Sequence, residues 1–169
     1  MIRASLTILI SIFILSCNRL KDKEKQLKEV PQKIKNKADD VLDKAFPEFN
    51  PYDPDTKANK KRFSDFLKVE LMPDIKNIYC YDDAIGIDAT YQFSFNCDDS
   101  TAERIIVAHK LKEDTSSINS GLGLTTEFNW WKKEKISKLK LYSWNQGQYY
   151  KNFWYDPIEK KAYYLDYDM

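Results

Sequence analysis

Histidine, glycine and cysteine are scarce in this 169-residue chain, at one, four and three residues respectively. A lone histidine, His109, leaves little scope for imidazole-based catalysis or metal ligation. Four glycines and six prolines exclude collagen-like or low-complexity character. An excess of one charge is also lacking, since 27 basic residues face 26 acidic ones. No net field steers such a chain to nucleic acid, and no nucleic-acid partner is expected. Gly-x-Ser-x-Gly, His-Glu-x-x-His and phosphate-loop patterns are all absent, and nothing in the sequence asks for a metal or cofactor. What the chain does have is aromatic residues, 14% of the total, within an apolar fraction of 43%. That suffices for a core and excludes a disordered chain.

The N-terminus carries the sharpest pattern. Met1-Ile2-Arg3 is a short basic segment, and the 13 residues Ala4–Ser16 are apolar or hydroxylic throughout. A bilayer span needs about 17–25 apolar residues, so this run is too short to cross and has the layout of a signal peptide. Ile14-Leu15-Ser16-Cys17 then resembles the lipobox of bacterial lipoproteins. The resemblance covers residues 1–17 alone. It implies cleavage before Cys17, a thioether-linked lipid on Cys17 and acylation of the new N-terminus. The expected location is the bacterial cell envelope, with the membrane as a partner through that lipid. Several acyl chains anchor stably where one is marginal. Residues 17–30 read as the lipidated cysteine and a charged tether, because Asn18–Val30 has five bases, three acids and no aromatic residue.

Residues 31–169 read as one α+β domain. Ile34, Ala38, Val41, Leu42 and Ala45 form a helical stripe after Pro31. Asp55 is placed to cap a second helix running to about Leu71, with Phe63, Phe66 and Leu67 inward. A strand at Asn77–Tyr81 and a turn within Asp82–Gly86 begin a hairpin. Its return strand alternates Ile87, Ala89, Tyr91, Phe93, Phe95 and Cys97 with Asp88, Thr90, Gln92, Ser94 and Asn96, so one face is expected buried and the other wet. Ser100-Thr101-Ala102-Glu103 has the form of a capping box for a helix through Ile105, Ile106, His109 and Leu111. Asp114–Gly123 reads as loop. Three strands, Leu139–Trp144, Gln148–Tyr155 and Ala162–Tyr167, close the chain as an antiparallel meander.

Most individual residues invite structural roles. A Cys80–Cys97 disulfide suits an oxidising compartment, yet a tight hairpin sets Cys97 nine to twelve residues beyond the partner of Cys80. At about 3.3 Å per residue that is roughly 30–40 Å, against a limit of about 7 Å, so two buried thiols are expected. His109 follows Ala102, Ile105 and Ile106 at helical spacing and reads as packed. Asp53-x-Asp55-x-x-x-Asn59 lacks the turn glycine and bidentate glutamate of a calcium loop. Gly121-Leu122-Gly123 reads as a flexible turn.

The aromatic residues of the C-terminal third stand apart: thirteen of 24 lie from Phe128 onward. Adjacent pairs in a strand point to opposite faces, so they cannot all enter one core. Tyr149, Phe153 and Tyr155 are assigned to the core, while Trp130, Trp131, Trp144, Tyr150 and Trp154 either form a binding surface or pack under covering helices. Three function classes follow. The first is a non-catalytic, lipid-anchored envelope protein that binds or inhibits a protein partner, immunity-like in outline. The second is a carbohydrate- or small-ligand-binding accessory lipoprotein. The third is a carboxylate-dependent hydrolase, although no pair of acids stands out.

Overall fold

The structure, a computed structural model, describes residues 41, 43, 47–83, 89–116 and 120–169. The expected signal segment, Cys17, the expected tether and most of the first expected helix lie outside the described residues. Two compact units divide at Pro47 and Glu48, inside the span expected to be one domain. In the first unit Val41 and Asp43 are helical. Among the described residues no helix is long and apolar enough to cross a membrane.

The second unit, residues 48–169, is α+β. It contains α1 (Lys57–Leu67), β1 (Lys76–Asp82), β2 (Thr90–Asn96), α2 (Asp99–Ala108), β3 (Lys112–Asp114), α3 (Lys133–Ile136), β4 (Leu141–Gln146), β5 (Tyr149–Asp156) and β6 (Lys161–Asp168). All six strands join one antiparallel sheet in the order β1-β2-β6-β5-β4-β3. Strands β4, β5 and β6 pair in sequence, but β6 also pairs with β2, so the whole sheet is not a simple meander.

Helix starts differ from the sequence expectation for an identifiable reason. Thr56 caps α1 by accepting a hydrogen bond from Asn59 N at 3.0 Å. Asp55 instead turns back to the sheet, its carboxylate accepting from Asn77 N and Ile78 N, both at 3.0 Å. Asp55 N donates to Ile78 O, and the buried Asn59 amide donates to the same carbonyl at 2.9 Å. The outer edge of β1 is thereby occupied at these positions by side chains from α1 and the loop before it. Helix α1 ends at Lys68 in a left-handed conformation rather than at Leu71. Helix α2 begins at Asp99, and no side chain of its own caps it. Asp74 serves from outside, accepting from Asp98 N at 3.1 Å and Thr101 Oγ1 at 2.7 Å. The expected capping box is therefore not used.

Each sheet face has its own cover. On one, Phe63 and Leu67 of α1 and Ala102 and Ile105 of α2 pack against Phe93, Phe95, Phe153 and Tyr164. Full burial of such side chains contributes about 1.5–3 kcal/mol each. On the other face, Leu122, Trp131 and Ile136 from the largely irregular segment 120–140 pack against Leu141, Trp154, Tyr163, Leu165 and Tyr167.

This second cover overturns the wet face expected of β2. Gln92 and Ser94 are fully buried. Gln92 pairs with the covering chain as a backbone would, Nε2 donating to Thr126 O at 2.9 Å and Oε1 accepting from Thr126 N at 2.8 Å. Asn152 Nδ2 donates to Ser120 O at 2.8 Å. Gly121 is more than a flexible turn. Its φ is +65°, and a Cβ there would lie 2.7 Å from the Tyr167 ring and 2.9 Å from Leu165. Strand β3, which ends at the first residue of the expected Asp114–Gly123 loop, is three charged residues, with Ser143 Oγ donating to Asp114 at 3.0 Å.

Candidate functional site

The five aromatic residues expected to form a surface are divided by the fold. Trp131 and Trp154 are core, at 0% and 1% exposure, with rings edge to face at 6.3 Å. Trp131 Nε1 donates to Thr125 Oγ1 at 3.0 Å, which satisfies its one polar atom. Tyr150 is half-buried and stacks on Tyr167 at 5.0 Å. Trp144 lies on the opposite, helix-covered face, with the Lys151 ammonium 5.4 Å from its ring centre. Tyr149, assigned to the core, is exposed at the end of β5. Both faces of β5 are covered, so a broad aromatic surface there is excluded. Of the five, Trp130 alone borders the groove described next.

Trp130 and Trp131 are neighbours in a tight turn closed by a Phe128–Trp131 bridge, and their rings lie 82° apart. Both rings are buried in one core cluster, Trp131 at 0% and Trp130 at 7% exposure, and Trp130 also borders the groove. Trp130 stacks between Phe128 at 4.9 Å and Tyr79 at 5.5 Å, with interplanar angles of 3° and 13°. Its Nε1 donates to Pro51 O at 2.7 Å. The loop carrying Pro51 is shaped by Asn50, whose Oδ1 accepts from the amides of Tyr52 and Asp53, each at 2.9 Å. Tyr52 is left 81% exposed.

Between this loop, the aromatic wall and the end of the sheet lies a groove of about 650 Å³. Three polar residues face it from neighbouring strands: Asn77 of β1, Asn96 of β2 and Lys161 of β6. Asn96 pairs directly with Lys161 across the sheet. Asn77 Nδ2 donates to Asn96 Oδ1 at 3.0 Å, and Asn96 Nδ2 donates to Lys160 O at 3.1 Å, so the amides are mutually oriented. Asn129 adds an exposed amide from the turn. Among the described residues, no carboxylate, thiol or imidazole lines the groove. It offers hydrogen bonds, aromatic surface and one positive charge. That is binding chemistry, with no pair of groups for proton transfer.

A second polar cluster is internal. His109 is buried, its Nε2 donating to Leu67 O at 2.8 Å while its Nδ1 faces Tyr164 Oη at 3.4 Å. Tyr164 Oη also approaches Asp166 at 3.2 Å, and Lys151 Nζ lies 4.0 Å from Asp166. Burial pushes the His109 pKa down and those of Tyr164 and Asp166 up. All three shifts favour neutral forms, and the cluster ties α1 and α2 to the sheet. Cys80 and Cys97 are free, separately buried thiols, pushed up to about 12 by burial. Cys80 faces Phe93, so Cys97 lies four residues beyond its partner rather than nine to twelve. That is still roughly 13 Å along a strand. No group of three or more acids, histidines or cysteines could hold a metal among the described residues.

Sequence reasoning found Trp130 and missed Tyr52, Asn77, Asn96, Phe128 and Lys161. A signal for part of the set existed. Asn96 and Lys161 each end a strand run on the polar side of its alternation, where a sheet end gathers side chains. The chain matches no protein-family model, no curated protein and no solved structure.

Proposed function

We propose that this protein is a lipid-anchored protein of the bacterial cell envelope that binds a saccharide or similar polyhydroxylated ligand in the Tyr52–Trp130–Lys161 groove. The observation that carries this reading is the groove itself. It has the volume of a small-ligand site and joins aromatic walls to oriented amides. Pyranose rings present apolar faces to aromatic side chains and hydroxyls to amides. The anchor rests on Cys17 and the apolar run before it. With Trp131 and Trp154 in the core, the reading moves from a broad protein-binding face to a bounded groove.

A protein partner remains the second reading, favoured by Ile158. This side chain is 92% exposed on the β5–β6 turn, whose Glu159 and Lys160 carbonyls accept hydrogen bonds from the groove residue Asn96. Titration of the full chain in detergent against neutral oligosaccharides, followed by tryptophan fluorescence, tests the first reading. Tyr52→Ala should weaken binding about three- to tenfold, as loss of one aromatic contact does. Binding unaffected by Tyr52→Ala, together with protein capture lost in Ile158→Ser, favours the second. For the anchor, labelled palmitate should enter the wild-type chain and not Cys17→Ser. Labelling of that variant would overturn the assignment.

A further inference from the structure

We propose that the groove selects an acidic saccharide, with the Lys161 ammonium taking the carboxylate or sulfate oxyanion of the ligand. The inference rests on the groove reading above and adds the ligand's charge. Lys161 is half-buried and lines the groove, and its ammonium lies 5.5 Å from the centre of the Tyr163 ring. Three acids at neighbouring positions have other partners. Glu159 pairs with Lys135. Asp99 pairs with Lys160 at 2.7 Å. Asp156, opposite Lys161 in the sheet, is buried and accepts from the amides of Ile158 and Glu159 at 2.9 and 3.0 Å. The fold thus holds a partly desolvated cation at a ligand-sized groove and supplies it no ion-pair partner among the described residues. Burial, reinforced by Lys135 and opposed by Glu159, holds its pKa below the usual lysine range.

Partial burial leaves this charge less well solvated than a surface lysine. An anion arriving in the groove gains a charge-assisted hydrogen bond without displacing an internal pair. A single cation in a chain of balanced charge suits one acidic group and not a polyphosphate backbone. Asn77 and Asn129 are placed for the hydroxyls, and Tyr52 for the apolar face of the ring.

Calorimetry on the full chain in detergent at low salt, with three probes, tests the proposal. The probes are trigalacturonate, its methyl ester and a sulfated trisaccharide. Trigalacturonate or the sulfated probe should bind about tenfold more tightly than the ester, the scale of one charge-assisted contact. Which of the two binds more tightly identifies the oxyanion. Lys161→Gln should erase that preference, whereas Lys161→Arg should keep it. Equal binding of the ester and both acidic probes overturns the charge assignment and leaves the groove reading standing. A preference that survives Lys161→Gln overturns the role of Lys161. Failure of all three probes to bind overturns both readings.

Discussion

The two faces of the sheet bury aromatic residues equally well and do it by opposite means. Beneath α1 and α2, apolar strand residues meet apolar helix residues, and the helices satisfy their own backbones. Beneath segment 120–140 the cover is mostly irregular, and an irregular chain has amides and carbonyls without partners. The sheet supplies them through Gln92 and Asn152. Polar residues on a strand face therefore mark hydrogen-bonding need and not necessarily contact with water. Here the cover that demands them also carries Phe128 and Trp130 to the groove wall.

Truncation of one buried aromatic on each side puts this comparison to its hardest test. Phe153→Ala and Trp154→Ala should each cost about 3–5 kcal/mol in denaturant titration, because both sit in closed cores. A cost for Trp154→Ala below about 1 kcal/mol would show that segment 120–140 is a loose flap, as surface substitutions are that mild. Gly121→Ala comes next, on the irregular side alone. A left-handed alanine costs roughly 1–2 kcal/mol, and its overlap with Tyr167 brings the expected loss to about 2–4 kcal/mol. Gln92→Met then removes the amide while keeping the length. Stranding the Thr126 amide and carbonyl should cost about 1–3 kcal/mol. Hydrogen exchange should show faster exchange at Thr126 than at the amides of α2.

The smallest effect separates the faces by pH. Gln92, Asn152 and Thr125 do not titrate, whereas His109, on the helix side, does. Burial holds its folded pKa below the ordinary 6.5. The unfolded chain thus binds the proton more readily. The His109 contribution to stability is fully present above pH 6.5 and is lost as pH falls from there through the folded value. Chemical denaturation across that window should show the loss in the wild type. His109→Gln, which keeps a donor for Leu67 O, should flatten it, and an unchanged slope would place the titrating group elsewhere.

The legible parts of this fold were those with local period. The alternation through Tyr91, Phe93 and Phe95 marks β2 and its helix-covered face, and Gly147 marks the β4–β5 turn. Insertion of β6 between β2 and β5 has no local signature, since it joins residues far apart in the chain. Strand β3 is too short and too charged to show a period. Asp74 caps α2 from a separate loop, so no spacing within the helix reveals it. The groove was illegible for a related reason. Its walls come from the Pro51 loop, three strand ends and the Phe128–Trp130 turn, and the Trp130-Trp131 pair was its one conspicuous trace.

The closed edge of β1 has a consequence beyond this one molecule. An open strand is a template on which another copy can polymerise. With Asp55 and Asn59 holding the backbone of Ile78, an incoming strand must first displace intramolecular hydrogen bonds. At the far edge, β3 offers only Lys112, Glu113 and Asp114, too few and too charged to seed a fibril. Both edges of the sheet thus resist strand addition by a second copy.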